Sequence, residues 1–228
     1  MPEPTRHVHP EATTREPVRV LVTAGPTEEP IDEVRFLGNR SSGRMGVALA
    51  HAFADAGVEV RLALGPIRVA PPTHDRVAVL PFRTSHDLEE LLVRELPAAD
   101  VVVMAAAVAD YRPQRVEVGK LRRTGDGLHL QLESVPDLLA TTLAHRKPGA
   151  RVFGFALEPT ERLRSSALEK LERKALAGIV ANPLETMDAA DIDGTLFLRD
   201  GRVLHPVGRL SKDDFARWLA PILLTTLR

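Results

Sequence analysis

A chain of 228 residues with 44% apolar side chains is long enough to bury one sizeable α/β core and short for two. Its formal charge of -1 excludes a global attraction to nucleic acid or to an anionic membrane, so an anionic ligand has to be held by local groups. Cysteine is absent, which excludes disulfides, thiolate metal sites and a cysteine nucleophile. No apolar run approaches the ~20 residues of a membrane span and the N-terminus lacks a signal-peptide core, so a cytoplasmic protein is expected.

Residues 1–17 hold four prolines, two histidines and scattered charges without periodicity; they are expected to be a loose tail, leaving 18–228 as a single domain. Val18, Val20, Leu21 and Val22 form a short β-branched run that stops at Thr23-Ala24-Gly25-Pro26, the pattern of a buried strand ending in a turn. From Gly43 the apolar residues Val47, Ala48, Leu49, Ala50, Phe53 and Ala54 recur at helical spacing and stop at Gly57. The loop between them carries Asn39, Ser41, Ser42, Gly43 and Gly46. A helix start behind such a loop offers unpaired N–H groups and the positive end of a dipole to a phosphate, and glycines let a ligand approach the backbone. The plain alternative is a serine N-cap with glycines that serve packing. Seventeen residues separate Gly25 from Gly43, so the dinucleotide fingerprint G-x-G-x-x-G is not met.

Residues 58–64 and 77–82 read as two further strands, separated by the helix-breaking Pro71-Pro72. Thr84 and Ser85 followed by Asp87 predict a capped helix to about Leu96, and 100–107, DVVVMAAA, is the most continuous apolar strand. Alternation of strands and helices implies a parallel sheet covered on both faces. After Tyr111 the pattern changes: 116–123 and 128–133 alternate around Thr124-Gly125-Asp126-Gly127, which predicts an antiparallel hairpin. Regular alternation resumes with a strand at 152–157, a helix at 159–177 and a strand at 178–181. A hairpin then turns at Asp200-Gly201, and the last helix opens at Ser211 with Phe215, Trp218, Leu219, Ile222 and Leu223 inward. The expected architecture is α/β: a Rossmann-like, mostly parallel sheet with helices on both faces and an antiparallel hairpin that departs from it as a flap or dimerisation excursion.

Several polar residues fall where such a fold places ligands. Asp110 follows the strand 100–107, at the sheet edge where open α/β sheets bind substrates; it is equally suited to a turn. Lys120, beside Arg122 and Arg123 on the hairpin, could close over a triphosphate and neutralise charge as pyrophosphate leaves, or be an ordinary solvated cation. Lys170 and Lys174 share a helix face and are either phosphate ligands or an exposed pair beside Glu169 and Glu172.

The segments TAGPTEEPIDEVRFLGNRSSGRMG, AAAVADYRP, GKLRR, PDLLA, GFALE and KLERKALAGIVAN, in this order across about residues 18 to 210, resemble the phosphopantothenate-cysteine ligase family. The resemblance implies a ligase of coenzyme A biosynthesis that activates 4'-phosphopantothenate with CTP and passes the acyl-cytidylate to L-cysteine, with Mg2+ on the triphosphate and no identified protein ligand for it. It implies that Asn39 and Lys120 are catalytic, and that Gly25, Ser41, Gly43 and Gly46 cradle phosphate. Nucleotide is expected at Asp110, Lys120, Pro136, Asp137, Leu138, Leu139, Phe155, Lys170, Lys174 and Asn182; phosphopantothenate at Arg35, Asn39, Ala106, Ala107 and Asp110. The family commonly has Lys where Arg122 and Arg123 stand, so those two positions carry over less directly. Relatives are homodimers, with the arginine matching Arg35 reaching the neighbouring subunit. Many are fused to a flavin-dependent decarboxylase, for which 228 residues leave no room; a stand-alone form with a separate decarboxylase partner is expected. Competing readings are an ATP-using version of the same ligase, a non-catalytic nucleotide-binding module, and a nicotinamide-dependent oxidoreductase. The last is disfavoured because Tyr111 is followed four residues on by Arg115 in place of the Tyr-x-x-x-Lys pair.

Overall fold

The computed structural model describes residues 17–67, 69–123, 125, 127–187 and 189–227; the expected tail before residue 17 lies outside them. The main sheet has eight strands: β1 Arg19–Ala24, β2 Glu59–Leu64, β3 Val77–Pro81, β4 Val101–Met104, β5 Arg151–Glu158, β6 Gly178–Pro183, β7 Thr195–Leu198 and β8 Val203–Leu204. Their spatial order is β8-β7-β6-β5-β4-β1-β2-β3. Neighbours from β3 through β6 pair in parallel, while β7 and β8 are antiparallel additions at one edge. Chain order reverses between β1 and β4, so the loops leaving these two strands diverge and open a crevice at their carboxyl ends.

The sheet is buried on both sides because its strands carry apolar residues on both. On one face, α1 (Arg44–Asp55) and α5 (Lys212–Thr225) bring Leu49, Phe53, Phe215, Leu219 and Leu223 against Val20, Val22 and Leu62. Trp218 and Ile222 are partly buried beside this core. On the other face, α2 (Ser85–Glu95), the short α3 (Leu138–Thr142) and α4 (Leu163–Arg173) bury Leu88, Leu92, Leu138 and Leu171 against Leu21, Val102 and Val152. The Thr84 and Asp87 pair forms the reciprocal cap that the sequence predicts: Asp87 N–H donates to Thr84 Oγ1 and Thr84 N–H to Asp87 Oδ2.

Three expectations are corrected. The predicted strand 100–107 is regular only to Met104, where its pairing with β5 ends; beyond it the Ala105 and Ala107 N–H groups stay on the carbonyls of Thr23 and Gly25, and a bridge between Pro26 and Ala107 keeps the register with β1, stitching the two crevice loops to each other. The helix expected over 159–177 is shorter: a 3-10 turn over Thr160–Arg162 runs into α4, Pro159 before it is not helical, and Ala175 takes a left-handed φ of 48° after it. The antiparallel excursion is narrower than the 116–123 and 128–133 ladder: its paired strands are Tyr111–Pro113 and Leu132–Ser134. Gln114 N–H still donates across the excursion to the Gln131 carbonyl, and beyond it 115–123 is a loop fastened elsewhere, by Glu117 N–H on the Ile31 carbonyl, Glu33 N–H on the Gly119 carbonyl and Gly119 N–H on Glu33 Oε1. Thr124 and Asp126 of the predicted turn lie outside the described residues. Two small hairpin ladders, Glu28–Pro30 with Phe36–Gly38 and Asp191–Ile192 with Leu210–Ser211, have no counterpart in the sequence reading.

Gly46 fixes how closely α1 lies on β1. A Cβ there would stand 2.3 Å from the Ala24 Cβ and 3.0 Å from the Ala24 Cα, a clash with backbone that no rotamer relieves. Gly46→Val is expected to destabilise the fold by about 1–3 kcal/mol or more through overpacking, read as a lower urea midpoint. An unchanged midpoint would mean that α1 can lift off the strand without loss.

Candidate functional site

The crevice at the switch point contains a cleft of about 560 Å³. Its walls come from distant segments of the chain: Asn39 from the first loop, Ala106, Ala107 and Asp110 after β4, Pro136 to Leu139 at the start of α3, Phe155 on β5, Lys170 and Lys174 on α4, and Asn182 on β6. A smaller pocket of about 130 Å³ adjoins it through Ala105, Ala107, Phe155, Leu157, Asn182 and Met187, and is closed by Ser41, Gly43 and Gly46. The structure therefore brings together the residues expected at 39, 41, 43, 46, 106, 107, 110, 136–139, 155, 170, 174 and 182. Gly25, Arg35 and Lys120 do not line either pocket.

The smaller pocket is built on the N-terminus of α1. Gly43 occupies the N-cap position in the left-handed region (φ 75°) without a side-chain cap, and no acidic residue lies in the first turn. The serine-cap alternative is therefore not realised: Ser41 Oγ accepts from Gly43 N–H at 3.4 Å and leaves the next N–H groups alone. These donors, with Arg44 and Lys212 also lining the pocket, give an anion-attracting wall. Gly25 and Gly43 meet each other and Ile67: a Cβ on Gly43 would come within 2.4 Å of Ile67 Cγ2 and 3.3 Å of the Gly25 Cα. Gly25 thus supports the loop from beneath.

Asn39 is tied down. Its Nδ2 donates to the carbonyls of Ala107 and Val108, both at 3.1 Å, so the amide donors hold the first loop to the loop after β4 and the carbonyl oxygen remains as acceptor. Asp110 is exposed at the cleft, and its own backbone carbonyl accepts from Val135 N–H at 2.9 Å. The two lysines of α4 do not repel each other across a gap, because each has a carboxylate: Lys170 Nζ lies 2.5 Å from Glu158 and Lys174 Nζ 2.9 Å from Asp137. Burial pushes the Asp137 carboxyl up, but Lys174 and the N–H groups of Ala140 and Leu139 outweigh it and leave the group below its ordinary value. Asn182 Nδ2 donates to Thr186 Oγ1 at 2.6 Å.

Lys120 belongs to the flap, and Arg35, in the turn between Glu28–Pro30 and Phe36–Gly38, fastens it. Arg35 Nε donates to Asp32 Oδ2 at 3.0 Å and its NH2 to the Leu121 carbonyl at 2.8 Å, while Leu121 N–H returns to Asp32 Oδ2 at 3.0 Å. The buried Asp32 is thereby the knot that fastens the flap base. The Arg35 guanidinium, helped by N–H groups of Val34, Arg35 and Leu121, holds its carboxyl well below the usual range against the opposing effect of burial. Since the folded value is depressed, this tie is fully present above the ordinary carboxylate range and is lost only as pH falls well below it. Lys120, next to Leu121, is exposed, so the knot sets its position while its head group faces solvent.

Residues that the sequence reading missed include Arg173, Met104, Val108 and Met187 in the larger cleft and Arg44 and Lys212 in the smaller one. Arg173 was signalled by its place in KLERKALAG between the two lysines. Lys212 opens the last helix, and nothing local in the sequence connects it to a loop some 170 residues earlier. Among the described residues no group of three or more His, Asp or Glu side chains is placed to hold a metal ion, and no helix is long and apolar enough to cross a membrane.

Comparison with known proteins agrees with this geometry. Residues 16–226 match the DNA/pantothenate metabolism flavoprotein C-terminal domain family. The chain is 37% identical over 204 residues to the coenzyme A biosynthesis bifunctional protein CoaBC of Vibrio cholerae, covering 87% of this chain and 50% of that protein, and 37% identical over 186 residues to CoaBC of Bacillus subtilis, covering 80% and 45%. It thus spans about half the length of these curated relatives. Among solved structures, the C-terminal domain of a CoaBC protein superposes with a TM-score of 0.74 at 36% identity, covering 92% of this chain and 95% of that one. A Cab2 variant solved with phosphopantothenate-cysteine shares the fold at a TM-score of 0.75 and 20% identity. A doubly wound sheet with its crevice loops stitched by Asn39, matched along nearly its whole length by the C-terminal half of CoaBC, places this chain in the DNA/pantothenate metabolism flavoprotein C-terminal domain family.

Proposed function

We propose that this chain is a phosphopantothenate-cysteine ligase: it joins 4'-phosphopantothenate to L-cysteine in two steps, with CTP as the activating co-substrate. In the first, a carboxylate oxygen of phosphopantothenate attacks the α-phosphorus of CTP, giving acyl-cytidylate and pyrophosphate. In the second, the cysteine amine attacks the acyl carbon, CMP leaves, and the amine proton is released as the amide forms. The carboxylate needs this activation because its own leaving group would be oxide. The observation that carries the reading is the cleft itself, in which the segments NRSSGRMG, AAAVAD, PDLLA, GFALE and KLERKALAGIVAN converge on one crevice.

Within that crevice the uncapped start of α1 suits a phosphate group, and Lys170 and Lys174 suit a triphosphate, which would displace Glu158 and Asp137 as their partners. The backbone at 136–139, which lines the cleft, would read the base. Mg2+ fits as an ion carried on triphosphate oxygens and water, since Asp110 is the cleft carboxylate without an ion pair among the described residues. The exposed apolar residues Val34, Phe36, Val116, Val118, Leu128 and Leu130 support a homodimer built on the flap. A separate decarboxylase would then consume the product.

Pyrophosphate release measured with each nucleoside triphosphate, omitting phosphopantothenate or cysteine in turn, tests the proposal. CTP with phosphopantothenate alone should give a burst of roughly one pyrophosphate per site, and cysteine should make turnover continuous. Pyrophosphate appearing only when cysteine is present would remove the separate intermediate, and preference for ATP would revise the base. Nucleotide binding without pyrophosphate, or a nicotinamide redox signal, would sink the ligase reading.

A further inference from the structure

Three cations at the end of α4 line the larger cleft, Lys170 and Arg173 in its last turn and Lys174 at its C-cap, and they differ in their commitments. Lys170 is held by Glu158 and Lys174 by Asp137. The Arg173 guanidinium makes no hydrogen bond or ion pair among the described residues, although Glu169 stands one helical turn before it and Glu172 beside it. A guanidinium exposed at the rim of a cleft and unpaired there keeps its full set of donors for an incoming anion.

We propose that Arg173 is a further phosphate-binding residue of the nucleotide site, the cation that meets the triphosphate of a nucleoside triphosphate before the two lysines exchange their carboxylates for it. The inference rests on the ligase reading for its ligand. Its physical basis is a difference in cost. Each lysine must surrender an ion pair to bind phosphate, whereas Arg173 surrenders only water, and its planar fork matches two phosphate oxygens at once. The cleft is otherwise balanced, with the charges of Lys170 and Lys174 opposed by those of Glu158 and Asp137, so Arg173 and Asp110 set its residual field. A purely local role is also open to Arg173, because a cation in the last turn of a helix complements its dipole. That role would affect folding and leave nucleotide affinity alone.

The test is Arg173→Gln and Arg173→Lys in the full chain, assayed for pyrophosphate release with each substrate varied separately, alongside thermal unfolding. Loss of one charge-assisted contact is expected to raise KM for the nucleoside triphosphate roughly 10- to 100-fold in Arg173→Gln, with KM for phosphopantothenate and cysteine and the unfolding temperature little changed. Arg173→Lys, which keeps the charge and loses the fork, should fall between. A nucleotide KM within twofold of the parent, or a rise confined to phosphopantothenate, overturns the assignment. Calorimetric titration of CTP without other substrates gives a readout that does not need turnover. If the parent binds CTP and yields no pyrophosphate, the ligase reading fails while the comparison of affinities still decides Arg173. If the parent binds no nucleoside triphosphate at all, both fail.

Discussion

Lys120→Gln is expected to lose ~100- to 1000-fold in the rate of the first half-reaction, the usual cost of removing one preorganised group from developing charge. Rapid-quench measurement should find no acyl-cytidylate and no pyrophosphate burst. Asn39→Asp is expected to fail later, accumulating acyl-cytidylate that cysteine consumes slowly. The geometry gives this second variant a definite physical cause: its carboxylate would face the carbonyl oxygens of Ala107 and Val108, which the native amide bonds at 3.1 Å, so two hydrogen bonds become two repulsions and the crevice loops part. For Asn39 to serve an oxyanion in the second step, its amide has to release one of those carbonyls. Should both variants stop at the same step, the division of labour between flap and crevice is wrong.

Mixing two inactive proteins, Arg35→Ala and Asn39→Ala, is expected to restore about a quarter of all sites. In a two-fold dimer in which Arg35 serves the neighbouring site, a mixed dimer carries both defects in one site and neither in the other, and random exchange makes half of the dimers mixed. Arg35 also has work in its own chain, where it binds Asp32 and the Leu121 carbonyl at the base of the flap that carries Lys120. If that contact within the subunit is its whole contribution, every site in the mixture keeps one defect and no activity returns. Dimer formation and exchange are checked independently, by sedimentation of the mixture and by fluorescence transfer between labelled subunits.

Much of this protein was legible as local pattern. The period of two or of 3.6 in the apolar residues marks β1, α1, β2, α2 and α5 close to their ends, and the pairs Thr84 with Asp87 and Asp200 with Gly201 mark a cap and a turn whose chemistry is contained within a few residues. The motif segments also identify the residues of the cleft: NRSSGRMG, AAAVAD and PDLLA supply loops and helix starts that border it, while GFALE is part of β5 and KLERKALAGIVAN runs from the end of α4 into β6. The flap shows the limit: residues 116–123 alternate as a strand should, yet they find no partner strand there and are held by Ile31, Glu33 and Asp32.

The sequence by itself determined the fold class and the family, since these depend on order and spacing along the chain, whereas the strand order that opens the crevice between β1 and β4 came from the tertiary structure. Which charges stand paired in that crevice was decided only by the tertiary structure. Lys170 meets Glu158, 12 residues away, and Lys174 meets Asp137, 37 residues away, while Asn39 spends its amide on a loop 68 residues distant. Separations of that size are closed by the packing of α3 and α4 on the sheet and not by any local preference, and an ion pair exists only where two side chains end within about 4 Å of each other. Among the described residues the same geometry leaves Arg173 unpaired beside its neutralised neighbours, a distinction invisible in the string KLERKALAG.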